Sequence, residues 1–300
     1  PKAFKFKTSQ WRGSLFIADS GPFEGRKCIA SYNPAYCLRD YEAAPLLQFD
    51  LKKAVREADK PTLQLPQRQI IIPTDVAHML TLLEDVRKQK LPVAIDIEGY
   101  IDDMSCISFA PSASVAFIVP FSRKNRTRYW SQADEVKIWR ALAETLEDPD
   151  VPKILQNSLY DRFVLHYSYG IRVRNVVDDT MLRHWELYSE LEKSLAVQAS
   201  IYTDEPYYKG TRKSDDDNTF YEYCCRDSAV TYEINAKLER TQMNQCAIDQ
   251  YRLNVALLHP LMYMEMRGMR YDVSGAKVRR DVLRMKLFEA QAKLNRRVGA

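Results

Sequence analysis

Apolar positions along this chain change period several times, and each change predicts an element. Residues 70–90, IIIPTDVAHMLTLLEDVRKQK, read as a short strand, a cap at Thr74 and an amphipathic helix. Strands follow at 93–97, 105–109 and 115–119, then a helix at 132–147, a strand at 153–156, a helix beginning at Asn157 and a strand at 175–177. Beyond Asp179 the pattern is helical to the end. Ahead of these elements lie two short strands at 14–18 and 27–32, a proline turn and a helix at 43–58, and Pro61 and Pro66 mark a linker. The succession predicts an α/β fold: a central mixed sheet flanked by helices, with a small α/β N-terminal segment and C-terminal helices.

Chemistry enters through carboxylates. VAIDIEG sets Asp96 and Glu98 two apart on a strand, hence on one face. NSLYD spaces Asn157 and Asp161 by four, and YCCRD does the same for Tyr223 and Asp227, so each pair is expected to share a helical face. Hard divalent cations, Mg²⁺ (or Mn²⁺), prefer such oxygen donors, and two of them about 3.5–4 Å apart clamp the attacking and leaving oxygens of a phosphodiester. Each pattern alone is common on solvated strand ends and helix faces. Their setting on an apolar strand, a strand-to-helix junction and a long amphipathic helix makes the set a candidate site.

The three patterns resemble the Exo I, Exo II and Exo III motifs of DEDD 3′-to-5′ exonucleases, in the subclass whose third motif contains tyrosine. ILQNSLYDRFVLHYSYGI with DDTMLRHWEL is similar to the proofreading domain of family A DNA polymerases. SLAVQASIYTDEPYYKG resembles that family's bacteriophage branch, and LHPLMYMEMRGMRYD the entry into its thumb. The resemblance implies a ribonuclease H-like fold, a linker at 61–68, an exonuclease domain over 69–240 and the first thumb helices over 241–300. It further implies that Asp96 bridges two metals, that Glu98 and Asp227 complete the site of the attacking water, and that Asp161 holds the second ion. Tyr223 then orients that water, since an ordinary phenol pKa near 10 makes a poor base. Residues 28–54, CIASYNPAYCLRDYEAAPLLQFDLKKA, resemble the closing part of iron-sulfur uracil-DNA glycosylases, with Asn33 where that family has histidine. Residues 1–60 thus read as a remnant without base excision.

Substrate contacts remain open at this level. Tyr100, Ile101 and Met104 suit stacking on or wedging between terminal bases, with core packing the competing assignment for Ile101 and Met104. Asn157 fixes the Exo II turn or touches substrate, and Arg162 contacts a phosphate or a neighbouring acid. Lys277, Arg280 and Arg284, at helical spacing, follow a DNA backbone or form a solvated face. Residues 210–218, GTRKSDDDN, read as a mobile polar loop rather than a metal site.

Composition narrows the class. The net charge is +4 over 300 residues. From Arg270 onward nine Lys or Arg face three Asp or Glu, a surplus of six, which leaves −2 for residues 1–269. A basic end beside an acidic pocket suits a DNA enzyme. No apolar run reaches membrane length, and the six cysteines lack finger spacing, pointing to reduced thiols in a cytoplasm, that of a bacterial host if phage-encoded. The expected partner is a DNA 3′ end, single-stranded or mismatched. No D-Y-S or H-D-E palm pattern precedes Ala300, so palm and fingers are expected from the rest of a longer chain or from a separate polypeptide. A ribonuclease D-like exoribonuclease and a non-catalytic DNA-binding module are the alternatives.

Overall fold

A computed structural model describes residues 7–299. The chain opens with α1 (Thr8–Trp11), the hairpin of β1 (Leu15–Ile17) and β2 (Lys27–Ile29), α2 (Pro34–Cys37), and a 3₁₀ turn leading into α3 (Ala44–Ala58). Next come β3 (Gln69–Ile71), α4 (Val76–Gln89), β4 (Val93–Tyr100), β5 (Asp103–Ser112), β6 (Val115–Pro120) and α5 (Gln132–Glu147). β7 (Lys153–Leu155), α6 (Ser158–Tyr169), β8 (Val176–Asp179), α7 (Thr180–Leu187) and α8 (Leu195–Tyr202) follow. A 3₁₀ strap, Lys209–Lys213, precedes α9 (Asp217–Arg240), α10 (Gln245–Arg267) and α11 (Val273–Val298). Two compact units divide the chain, Pro1–Met262 and Tyr263–Ala300, with the boundary inside α10.

Six strands form one sheet in the order β3-β6-β5-β4-β7-β8. β4, β5 and β6 pair antiparallel, while β3-β6, β4-β7 and β7-β8 are parallel. This is the mixed, helix-flanked sheet expected. Strand alternation sorts the two faces. Ile95 and Ile97 of β4 pack with Met79 and Leu83 of α4 and Ile138 and Leu142 of α5. Ala94 joins the opposite core, where Cys106 and Ile118 meet Tyr221, Cys225 and Ile234 of α9. Asp96 and Glu98 continue the Ala94 phase, so β4 turns them towards α9.

Three local expectations are corrected. Asp75, not Thr74, caps α4, its carboxylate accepting from His78 N at 2.9 Å. Asn157 does not share a helical face with Asp161: it stands ahead of α6 in left-handed backbone at φ 63°, turning the chain from strand to helix. Asn175 also has positive φ, 54°, so β8 begins at Val176 and runs on to Asp179.

Candidate active site

β4 places the first two acids and ends at once. A bulge at Glu98/Gly99 bends it away. Gly99 has φ 139°, and a Cβ there would lie 2.5 Å from Asp103 O, so only glycine fits directly after Glu98. α9 brings Tyr223 and Asp227, one turn apart and both buried. Carboxylate oxygens of Asp96, Glu98 and Asp227 lie within 4.8 Å of one another. Asp161, in the first turn of α6, joins from the side, its Oδ1 accepting from Ile97 N at 3.1 Å. The four acids and Tyr223 singled out from the sequence are therefore brought to one place.

Like charges in a dry setting are costly, and the site shows it. Burial first, then the neighbouring Asp227 and Asp161, push the Asp96 carboxyl well above its ordinary range. Burial raises Asp161 too, against the stabilising Ile97 N–H. Glu98 is raised by burial, with Arg212 opposing the shift. The Tyr223 phenol is pushed up by burial and then by Asp227 and Glu98, so it stays a neutral hydrogen-bonding group.

Several participants escaped the sequence reading. Lys209 Nζ donates to Asp227 Oδ1 and Oδ2 at 2.6 and 2.7 Å and approaches the Tyr223 hydroxyl at 3.3 Å. Arg212 donates to Glu98 Oε2 at 2.8 Å, and buried Tyr208 donates to Asp227 Oδ1 at 2.5 Å. The stretch expected to be a mobile loop, 210–218, begins inside the 3₁₀ strap and ends in α9; Arg212 within it and Lys209 just before it answer the negative charge of the acids. Its aspartates do other work: Asp216 caps α9 through Thr219 N at 2.7 Å, and Asp217 accepts from Lys124 N at 2.7 Å. Ser108, paired with Asp96 across β4-β5, donates to Cys224 O at 2.9 Å and tethers the sheet to the turn of α9 that carries Tyr223 and Asp227. Asp179 accepts from Ser158 N at 2.7 Å and Met181 N at 3.0 Å, anchoring both α6 and α7. An aspartate directly ahead of a helix was the signal available for it.

The remaining candidates scatter. Tyr100 and Ile101 are exposed, whereas Met104 is 3% exposed and lies in the core beneath α4 and α5. Asn157 N donates to Asp179 Oδ1 at 3.2 Å, which serves the turn. Arg162 is partly buried, near Asp179. Lys277, Arg280 and Arg284 are exposed on α11 in the second unit, where Arg280 pairs with the adjacent Asp281 at 3.0 Å.

The donor set fits a hard divalent cation: three carboxylates face one point, and an ammonium already stands there as a positive charge. Among the described residues no helix is long and apolar enough to cross a membrane.

The fold is ribonuclease H-like and is shared with several solved structures. The catalytic core of RRP6 from Trypanosoma brucei matches with TM-score 0.51 at 15% identity, over 85% of this chain and 68% of that one. The T. brucei RNase D complex with RNA U12 matches at 0.50 and 12% identity, over 65% and 70%. A nuclease in its apo form matches at 0.50 and 16%, over 64% and 92%. The chain belongs to the DNA polymerase A 3′-5′ exonuclease family, which residues 70–242 match. It is also 28% identical over 291 residues to DNA polymerase I of Synechocystis sp., covering 85% of this chain but only 28% of that relative's length.

Proposed function

We propose that this chain removes nucleotides from DNA 3′ ends, single-stranded or mismatched, as the proofreading part of a phage-type family A DNA polymerase, its nuclease being of the tyrosine-containing DEDD subclass. The observation that carries the reading is the convergence of Asp96, Glu98 and Asp227, from a strand and a helix far apart in sequence, on one point beside Tyr223. Asp96, Glu98 and Asp227 would hold one divalent ion, and Asp96 with Asp161 a second. Bound there, such ions supply an activated water and neutralise charge on the leaving 3′ oxygen. Tyr223, kept neutral, offers its hydroxyl to fix the attacking water. Tyr208 orients the Asp227 carboxylate, whose oxygens Lys209 occupies until an ion displaces it. A frayed end enters a recessed site without the cost of unpairing, which favours mismatched termini.

The relationship to DNA polymerase I supports DNA over RNA as substrate. Residues 1–60 are assigned a scaffold role, and palm and fingers to another segment or polypeptide in the same cytoplasm. The test is a time course on 3′-labelled and 5′-labelled single-stranded DNA and RNA with Mg²⁺, Mn²⁺ or chelator. Stepwise shortening of DNA from the 3′ end, abolished by chelator, is expected. Internal cleavage, or preference for RNA, overturns the reading.

A further inference from the structure

Beside the carboxylates lies a wall of opposite charge. A cavity of about 330 Å³ adjoins Glu98 and is bounded by Arg123, Lys124 and Arg126, from the loop between β6 and α5, and by Arg212 of the strap. Four cations thus face two carboxylates, Glu98 and Asp103. Two of the loop cations are held in place. Arg123 lies over the Tyr129 ring at 4.4 Å and pairs with Asp217 at 3.6 Å. Lys124 Nζ lies over Phe220 at 3.7 Å and donates to Arg212 O at 3.2 Å, joining loop to strap.

Arg126 is different. Its side chain has no hydrogen bond, ion pair or ring contact among the described residues, and it is exposed. Its backbone is left-handed, φ 64°, where glycine or asparagine would be easier. It also lines a second cavity of about 750 Å³ that runs towards Trp139 and Tyr169, and the two cavities share Asp103, Ser122 and Arg126. An exposed, unpartnered guanidinium where two cavities meet is free to take an external anion, and its planar fork suits phosphate.

We propose that Arg126, with Lys124 and Arg212, holds a backbone phosphate of the DNA strand whose 3′ end lies at the carboxylates, the strand continuing past Arg126 along the second cavity. Arg212, at 2.8 Å from Glu98 here, is the residue common to both sites. The inference rests on the nuclease reading above but is tested separately.

The experiment measures binding of a fluorescein-labelled single-stranded DNA with phosphorothioate linkages at its 3′ end, in Ca²⁺, across a salt series. Arg126→Gly removes the cation and relieves the backbone, so its melting temperature is expected unchanged or raised. Its Kd is expected to weaken roughly fivefold, with the log Kd against log salt slope smaller by about 0.7, one phosphate contact's worth. Arg126→Lys should retain most of the slope. Unchanged Kd and slope in Arg126→Gly, or no binding by the wild type, overturns the subsite. Wild-type protein that binds with the Arg126-dependent slope yet leaves unmodified DNA intact in Mg²⁺ removes the nuclease reading instead.

Discussion

Lys209 holds Asp227 by both carboxylate oxygens, Nζ lying 2.6 Å from Oδ1 and 2.7 Å from Oδ2. The ammonium supplies the positive charge that three clustered carboxylates demand. It therefore competes with any divalent ion for the same oxygens, while Arg212 does the same at Glu98.

Removing the competitor should tighten metal binding. Lys209→Ala is expected to bind Mn²⁺ roughly tenfold more tightly, the equivalent of one charge-assisted hydrogen bond. Free Mn²⁺ followed by electron paramagnetic resonance checks it. Equal or weaker affinity would show that Lys209 supports the ion rather than replacing it.

Catalysis should follow the acids. Asp96→Ala and Asp227→Asn are each expected to lose at least about a hundredfold in exonuclease rate while staying folded by circular dichroism. Tyr223→Phe should lose less, because only a hydrogen bond to water goes. Near-normal turnover by Asp227→Asn at saturating Mg²⁺ would place the chemistry elsewhere.

The raised carboxyl groups set a pH dependence. Asp96 and Asp161 keep protons above the ordinary carboxyl range, and a metal must displace them. Mn²⁺ affinity is thus expected to go on rising at pH values where free carboxylates, near 4, are already ionised, with proton release on binding. For the metal-free protein the sign is opposite: a raised folded-state pKa contributes stability that is present at low pH and lost as pH rises through it. Asp96→Asn should therefore raise the metal-free melting temperature at neutral pH. A flat Mn²⁺ titration by calorimetry between acid and neutral pH would contradict both statements.

The N-terminal segment is bonded to the stretch leading into the strap. Lys53 Nζ donates to Gly13 O at 2.9 Å and to Ser200 O and Thr203 O, each at 2.7 Å. Lys53→Met leaves three carbonyls without this donor and is expected to cost about 2–4 kcal/mol. Burial lowers the Lys53 pKa from 10.5 to about 8. Between those values the unfolded chain holds a proton that the folded one has shed, so wild-type stability gains with rising pH in that window and Lys53→Met should lack the gain. Denaturant melts across the window decide it.

Asn33 serves as a helix cap, its side chain accepting from Ala35 N at 2.8 Å. Asn33→Ala should cost about 1 kcal/mol and nothing in nuclease rate. Uracil release from single-stranded DNA is expected to be undetectable in the wild type and in Asn33→His. Measurable release in either would restore a glycosylase role to this segment.

Much of this site was legible because its spacing is local. Strand period places Asp96 with Glu98, helical period places Tyr223 with Asp227, and the helix at Gln132–Glu147 follows from its apolar repeat. Asn157 departed from that logic, since a left-handed residue ahead of a helix obeys no helical period. Met104 carried two readings, and only packing against the α4 and α5 side of the sheet assigned it to the core.

The sequence by itself determined the local pairs, Asp96 with Glu98 and Tyr223 with Asp227, because two residues of strand and four of helix set them on one face, while the resemblance of its motifs named Asp161 as their companion. Tertiary structure alone decided what neutralises them. Lys209 and Arg212 sit in a polar stretch with no period, 18 and 114 residues from Asp227 and Glu98. Attraction of a cation to a buried carboxylate depends on distance in space and on exclusion of water, and neither is written in a local pattern. The same holds for Arg126, whose lack of a side-chain partner among the described residues is visible only once the surrounding elements are in place.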